Sequence, residues 1–218
     1  MSDFSKIELI LKKSLPLGFE YGLAEAPADE GTLFKEERDY LKSIKAPARK
    51  ESYILGRTAC HEALKKIGVN GPVLRAQDGR PIWPQNIAGS LSNKAGIGVA
   101  AVTNNPKYLA FGIDLEEHLK NSNIAKKVCR PSEQTWVALD RGTETLTKLF
   151  SAKEALFKAL YPQTGIFFGF QDAEFTISED GFRCINLIKF PHIPVNSIKI
   201  KTTATDGLVV SLVWMEKS

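Results

Sequence analysis

Apolar positions recur at helical spacing in two long stretches of the chain. In "LFSAKEALFKALY", residues 149–161, a wheel at 100° per residue gathers Leu149, Ala152, Ala155, Leu156, Ala159 and Leu160 into one broad arc, with Phe150 and Phe157 at its edge. Lys153 falls inside that arc, while Glu154 and Lys158 stand four residues apart on the adjoining face. Three readings are open: a solvent-exposed Glu154–Lys158 pair, a capping box of Ser151 with Glu154, or charges that face a functional site. The second stretch, "RKESYILGRTACHEALKKIGVN", places Ile54, Leu55, Ala59, Ala63, Leu64 and Ile67 on an apolar face. Arg49, Lys50, Arg57, Lys65 and Lys66 give it a basic complement, and Gly68 is a stop.

Between and after these helices the pattern turns strand-like. Strands are expected near 88–92, 96–103 and 108–115, the last two paired as a hairpin around Asn104-Asn105-Pro106. Residues 119–160 return to helix, first at "IAKKVC". Beyond them "PQTGIFFGFQDAEFTIS", "GFRCINLI", "SIKIKTTAT" and "GLVVSLVWM" read as strands, the last two joined at Asp206-Gly207. The order helix, strands, helix, strands predicts an α+β fold of two similar halves, 1–117 and 118–218. Each is a small, mainly antiparallel sheet packed with a helix, and the halves are related by a pseudo-twofold. No close internal sequence repeat accompanies this order.

Composition narrows the classes. The 43% hydrophobic and 25% charged fractions describe a soluble globular chain, and 218 residues suffice for one large domain or two small ones. No apolar run reaches the roughly 20 residues of a membrane span, and the first residues lack the apolar core and cleavage site of a signal peptide. A cytoplasmic protein is the expectation. Cys60, Cys129 and Cys184 form no CxxC motif and are expected to be buried small hydrophobes. The net charge of +4 carries no Lys/Arg tract, so nucleic acid is not expected; a compact anionic ligand or an acidic protein partner suits it.

The strand "YLAFGIDLEEH" ends with Asp114 and Glu116, which share a face because strand side chains alternate. Acids are common where a strand enters solvent, but two carboxylates on one face also suit a hard divalent cation, for which Glu154 would be a third donor. Upstream, "GRP" at 79–81 and "SLSN" at 90–93 supply small donors and a guanidinium.

Taken in order, "GRPIWP", "SLSN", "FGIDLE", "FSAKEALFKAL" and "FFGFQDAEF" resemble the 4′-phosphopantetheinyl transferases of the Sfp type, in their enterobactin-synthetase-component-D branch. The resemblance runs from about Arg49 to the strand after Phe170. It implies Mg²⁺-dependent transfer of the phosphopantetheine arm of coenzyme A onto a serine of an acyl or peptidyl carrier protein, with release of 3′,5′-adenosine bisphosphate, in siderophore, polyketide or related biosynthesis. It implies an active site in the crevice between the halves, and a monomer, since both halves lie in one chain. By the same resemblance Asp114, Glu116 and Glu154 are metal ligands, and Glu154 and Lys158 are catalytic, with Lys158 also a phosphate contact. Arg80 and Ser92 resemble coenzyme contacts; Arg49, Arg57, Asn93 and Lys153 are further candidates, Lys153 with packing as its alternative. Asn93 departs from the family's usual histidine and cannot become cationic. The rival expectations are a Mg²⁺-dependent nucleotide or diphosphate hydrolase and a carrier-binding module without catalysis.

Overall fold

The computed structural model describes residues 2–140 and 143–217. These divide into two compact units, 1–106 and 107–218. In the first unit α1 (Asp3–Ser14) leads into β1 (Glu20–Glu25), α2 (Lys35–Leu41) and the long α3 (Pro47–Lys66). There follow β2 (Leu74–Arg75), β3 (Pro81–Ile82), β4 (Ala88–Lys94) and β5 (Ile97–Thr103). The second unit runs β6 (Tyr108–Glu117), α4 (Ala125–Val128), α5 (Pro131–Val137), α6 (Glu144–Thr164), β7 (Ala173–Ser178), β8 (Gly181–Leu187), β9 (Ile198–Ala204) and β10 (Leu208–Glu216). This is the expected α+β fold.

Each unit has an antiparallel three-stranded sheet, ordered β1-β5-β4 in the first and β6-β10-β9 in the second. The pairs β2–β3 and β7–β8 form separate two-stranded ribbons. The Asp206-Gly207 turn does join β9 to β10. The expected hairpin across Asn104-Asn105-Pro106 does not form. β5 pairs with β1 and β4, whereas β6 pairs with β10 along its length, Asp114 opposite Ser211 and Glu116 opposite Val209. β6 thus belongs to the second unit, and the compact division falls at 106/107, ahead of the expected 117. The reason is burial: β6 is buried on both faces from Ala110 to Leu115, and α6 together with β10 cover what a turn partner would leave exposed.

One long helix packs on each sheet, α3 on β1 and β5, α6 on β6 and β10. Contact is closest where the strand carries glycine. A Cβ on Gly22 would lie 2.0 Å from the Ala59 carbonyl oxygen, and one on Gly112 would lie 1.9 Å from that of Ala155. The next small residue up each helix, Ala63 or Ala159, presents its backbone nitrogen 2.7 Å from the same point. Alanine pairs on the helix and a lone glycine on the strand therefore repeat in the two units.

A second repeat fixes each short helix. Glu37 is the third residue of α2 and Glu133 the third residue of α5, and both are fully buried. Glu37 accepts from the amides of Phe34 (3.0 Å) and Val73 (2.8 Å) and bonds His61 Nε2 of α3 (2.9 Å). Glu133 accepts from the amides of Arg130 (2.7 Å) and Phe175 (2.7 Å) and from Lys153 Nζ of α6 (2.6 Å). In each unit one carboxylate caps the short helix, anchors an extended segment and clasps the long helix. Leu55, Ala59, Cys60, Ala100 and Val102 pack in one cluster of the first unit, and Leu149, Leu156, Phe175, Phe190 and Val213 in one of the second. All three cysteines are free and buried, and burial pushes the Cys60 thiol up to about 12.

Candidate active site

β6 is an edge strand whose outer half runs from core to surface, and its alternation delivers Asp114 and Glu116 to one side. Asp114 is only 5% exposed, with Glu116 half-buried one register step beyond. α6 lies against this strand and brings up Glu154, half-buried, and one turn later Lys158. Lys158 Nζ donates to Asp114 Oδ1 at 2.7 Å. Burial raises the Glu154 carboxyl above its ordinary value, and the charges of Asp114 and, less strongly, Glu116 raise it further; Lys158 and Lys127 act the other way. Three carboxylates therefore share one field, with a lysine that offsets only part of their repulsion.

This arrangement overturns the capping-box alternative. α6 begins at Glu144, so Ser151 is two turns inside the helix and buried. Nor is Lys158 merely an exposed partner of Glu154, since its ammonium is committed to the buried Asp114.

The donor set suits a hard cation such as Mg²⁺. Glu154 is destabilised as an anion by its neighbours, which a further positive charge would correct. Among the described residues no group of three or more His, Cys, Asp or Glu stands so that it could hold a metal ion by itself. Mg²⁺ habitually takes one or two carboxylates and completes its shell with water and phosphate oxygens, so fewer than three acids suffice for it.

Glu154 also lines a cavity of about 190 Å³. Phe157 of α6 forms one wall, and Phe167, Phe168 and Phe170, on the loop after α6, form the other. That loop is tied at several points. Lys189 Nζ donates to the Phe167 carbonyl (3.0 Å) and pairs with Asp172 (3.2 Å), while Asp172 Oδ2 accepts from the Gly169 amide (2.8 Å). From inside, Lys153 Nζ donates to the Phe170 carbonyl at 2.9 Å.

Lys153 is 3% exposed, and its ammonium is held by Glu133 and by the carbonyls of Val128 and Phe170. These bonds tie Lys153 to α4, to α5 and to the segment of Phe170. Glu133 itself went unnoticed in the sequence, although Pro131 at the first helical position and Glu133 at the third are a helix-start signal.

The remaining candidates lie in the first unit. Arg57 is 4% exposed on α3, its guanidinium 4.6 Å from the Tyr53 ring centroid and Nη2 3.5 Å from the Leu74 carbonyl, and its Nε has no hydrogen-bond partner. A buried guanidinium met by a ring and a carbonyl suits an anionic ligand. Arg49 is exposed two turns earlier on α3. Arg80 sits at the β2–β3 turn, braced by Asp78 (Nε–Oδ2 3.3 Å). Ser92 is buried on β4, and the side-chain amide of Asn93 approaches Gly56, the residue before Arg57, at 3.6 Å from where a Cβ would stand.

Comparison with known proteins bears on both units. A family model described as the 4′-phosphopantetheinyl transferase superfamily matches residues 110–213, and one for the 4′-phosphopantetheinyl transferase N-terminal domain matches residues 36–103. The chain is 32% identical over 209 residues to the 4′-phosphopantetheinyl transferase Svp of Streptomyces mobaraensis, covering 89% of this chain and 83% of that protein. It is 33% identical over 178 residues to Npt of Nocardia iowensis, a 4′-phosphopantetheinyl transferase, covering 79% of each. Enterobactin synthase component D of Escherichia coli K12 is 32% identical over 122 residues, 53% of this chain and 57% of that protein.

Proposed function

Because the chain belongs to the 4′-phosphopantetheinyl transferase superfamily, we propose that it transfers the phosphopantetheine arm of coenzyme A to a serine of an acyl or peptidyl carrier protein. The observation that carries this reading is the meeting of Asp114, Glu116, Glu154 and Lys158 where β6 and α6 pack together.

In the proposed reaction the serine oxygen bonds to the phosphorus of the phosphopantetheine arm as the bond to the bridging pyrophosphate oxygen breaks. The serine proton is lost, and 3′,5′-adenosine bisphosphate departs. Asp114, Glu116 and Glu154 would hold Mg²⁺, which supplies charge neutralisation for the pyrophosphate when bound. Lys158, held by Asp114, presents its ammonium toward the phosphates and favours the leaving oxygen as negative charge builds there. Glu154 is the base: a carboxyl raised by burial and by neighbouring anions takes a proton more readily than an ordinary one. Arg57, Arg80, Ser92 and Asn93 are assigned to the adenosine phosphates, with Arg49 at the exposed start of α3. The same reading makes the enzyme a cytoplasmic monomer; among the described residues no helix is long and apolar enough to cross a membrane.

Incubation with coenzyme A, Mg²⁺ and a panel of apo carrier proteins, followed by intact-mass measurement, tests this. One phosphopantetheinyl group added to at least one carrier is the expected outcome. Release of phosphopantetheine or phosphate with every carrier unmodified would establish a hydrolase instead, and carrier binding indifferent to Mg²⁺ and coenzyme A would establish a binding module.

A further inference from the structure

The core-facing side of α6 holds a full charge. Lys153 Nζ donates to Glu133 Oε2 at 2.6 Å and to the carbonyls of Val128 and Phe170 at 2.9 Å each, so all three of its donors are used. Glu133 is equally occupied by the amides of Arg130 and Phe175. An ion pair buried in this way rarely improves on apolar side chains of the same volume. Filling the core is therefore a poor explanation for a lysine here.

What a methionine in its place would not do is tie three segments to one turn of helix. Val128 ends α4, Glu133 lies in α5, and Phe170 belongs to the loop whose Phe167 and Phe168 stand over the cavity beside Glu154. Aromatic contacts also hold that loop, Phe168 (4% exposed) against Phe157 and Phe190 and Phe170 against Phe150, but they set no hydrogen-bond direction; Lys153 adds a charged bond to the Phe170 carbonyl, while Phe167 is 70% exposed and the outer tie, Lys189, 43% exposed. Without the ammonium, the Val128 and Phe170 carbonyls lose a charged donor and turn toward water. A shift of about 1 Å in a wall that seats a reacting group costs on the order of a hundredfold in rate.

We infer that Lys153 is a positioning residue: with Glu133 it fixes the Phe167–Phe170 loop against the turn of α6 that carries Glu154, and so holds the cavity wall in register with that carboxylate. Its activity readout rests on the transferase reading, whereas its exchange readout does not.

The test is Lys153→Met/Glu133→Gln, which removes both charges together and leaves the amide one acceptor for the backbone. The variant is expected to fold and to bind coenzyme A, titrated calorimetrically with Mg²⁺, within about threefold of the parent. Its kcat toward the best acceptor of an apo-carrier panel falls by roughly thirtyfold or more. Hydrogen exchange of residues 166–172 rises about tenfold or more, with α3 unchanged. A coenzyme A Kd raised about tenfold with kcat preserved would mark Lys153 as a direct ligand, and unchanged kcat and exchange would mark it as core filling; either overturns the inference. Should the double variant not fold, Lys189→Met releases the same loop from its exposed side. Faster exchange at 166–169 with a several-fold lower kcat and unchanged Kd is then expected, and no change in either overturns the inference. A wild-type chain that modifies no carrier sinks the transferase reading and leaves the exchange comparison to decide the loop.

Discussion

Glu154 has two assignments that make opposite demands on its carboxyl. As a metal ligand it must be ionised; as a base it must accept a proton, and its burial beside Asp114 and Glu116 already favours the protonated form. Glu154→Gln keeps the size and one neutral oxygen but loses basicity. Coenzyme A binding at saturating Mg²⁺ is expected to stay near normal while turnover falls by about a hundredfold or more, unrescued by added Mg²⁺. Full rescue would show that Glu154 acts through the metal alone. Asn93 supports a second test at this scale, because its amide lies beside the backbone of the residue preceding Arg57. Asn93→His should tighten coenzyme A binding more at pH 6 than at pH 8, since only the imidazolium adds charge. An equal Kd at the two pH values would remove Asn93 from the phosphate contacts. Asp114, Glu116, Glu154 and Lys158 were legible in the sequence because each lies in a short block whose residue types and spacing are local. The company kept by Lys153 was not, since Glu133 lies 20 residues away and the pair forms only when α5 docks on α6.

At the scale of elements, the close approach of each long helix to a strand glycine sets a steep requirement. Any side chain at Gly22 or Gly112 would meet helix backbone, which cannot swing aside as a flexible side chain can. Gly22→Ala and Gly112→Ala are each expected to destabilise by about 3 kcal/mol or more. Gly207→Ala, where nothing lies within 4 Å of the new methyl, should stay within about 1 kcal/mol. Urea denaturation of the three variants checks this, and a mild effect at Gly112 would mean that α6 moves away from β6 at little cost. Helical periodicity located α3 and α6 because their apolar faces are long. It placed the start of α6 poorly, since Ser151 and Glu154 mimic a capping box in mid-helix. Strand partners were the weaker part. Asn104-Asn105-Pro106 is turn chemistry, but a turn also serves to pass the chain from one sheet to another, and only the burial of β6 on both faces settles which.

Over the whole molecule the two compact units repeat a frame whose sequence signature is faint. Ala59 and Ala63 under Gly22 correspond to Ala155 and Ala159 under Gly112, and Glu37 corresponds to Glu133. Few side chains are retained between them, because the frame asks for little more than small residues at the helix–strand contact and one acid at the start of a short helix. The carboxylates of the candidate site are not among the repeated features. Aligned on the glycines, Ala24 and Ala26 of the first unit stand where Asp114 and Glu116 stand in the second, so this chemistry belongs to the second unit alone. The clasp acids do recur, and Glu37 allows the frame to be tested away from the site. Its burial works to raise its carboxyl, but His61 and the Val73 and Phe34 amides outweigh that and bring it below the ordinary 4.5. A carboxyl lowered by folding contributes stability that is present above pH 4.5, the unfolded value, and is lost as pH falls through the folded one. Glu37→Gln removes that contribution and is expected to cost about 3 kcal/mol at pH 7, because it leaves His61 and two amides poorly met. The gap between parent and variant should narrow below pH 4.5, and the faster hydrogen exchange should appear in α2 and α3 rather than in α6. A gap that stays constant from pH 7 down to pH 3 would show that the Glu37 charge is not what secures the clasp.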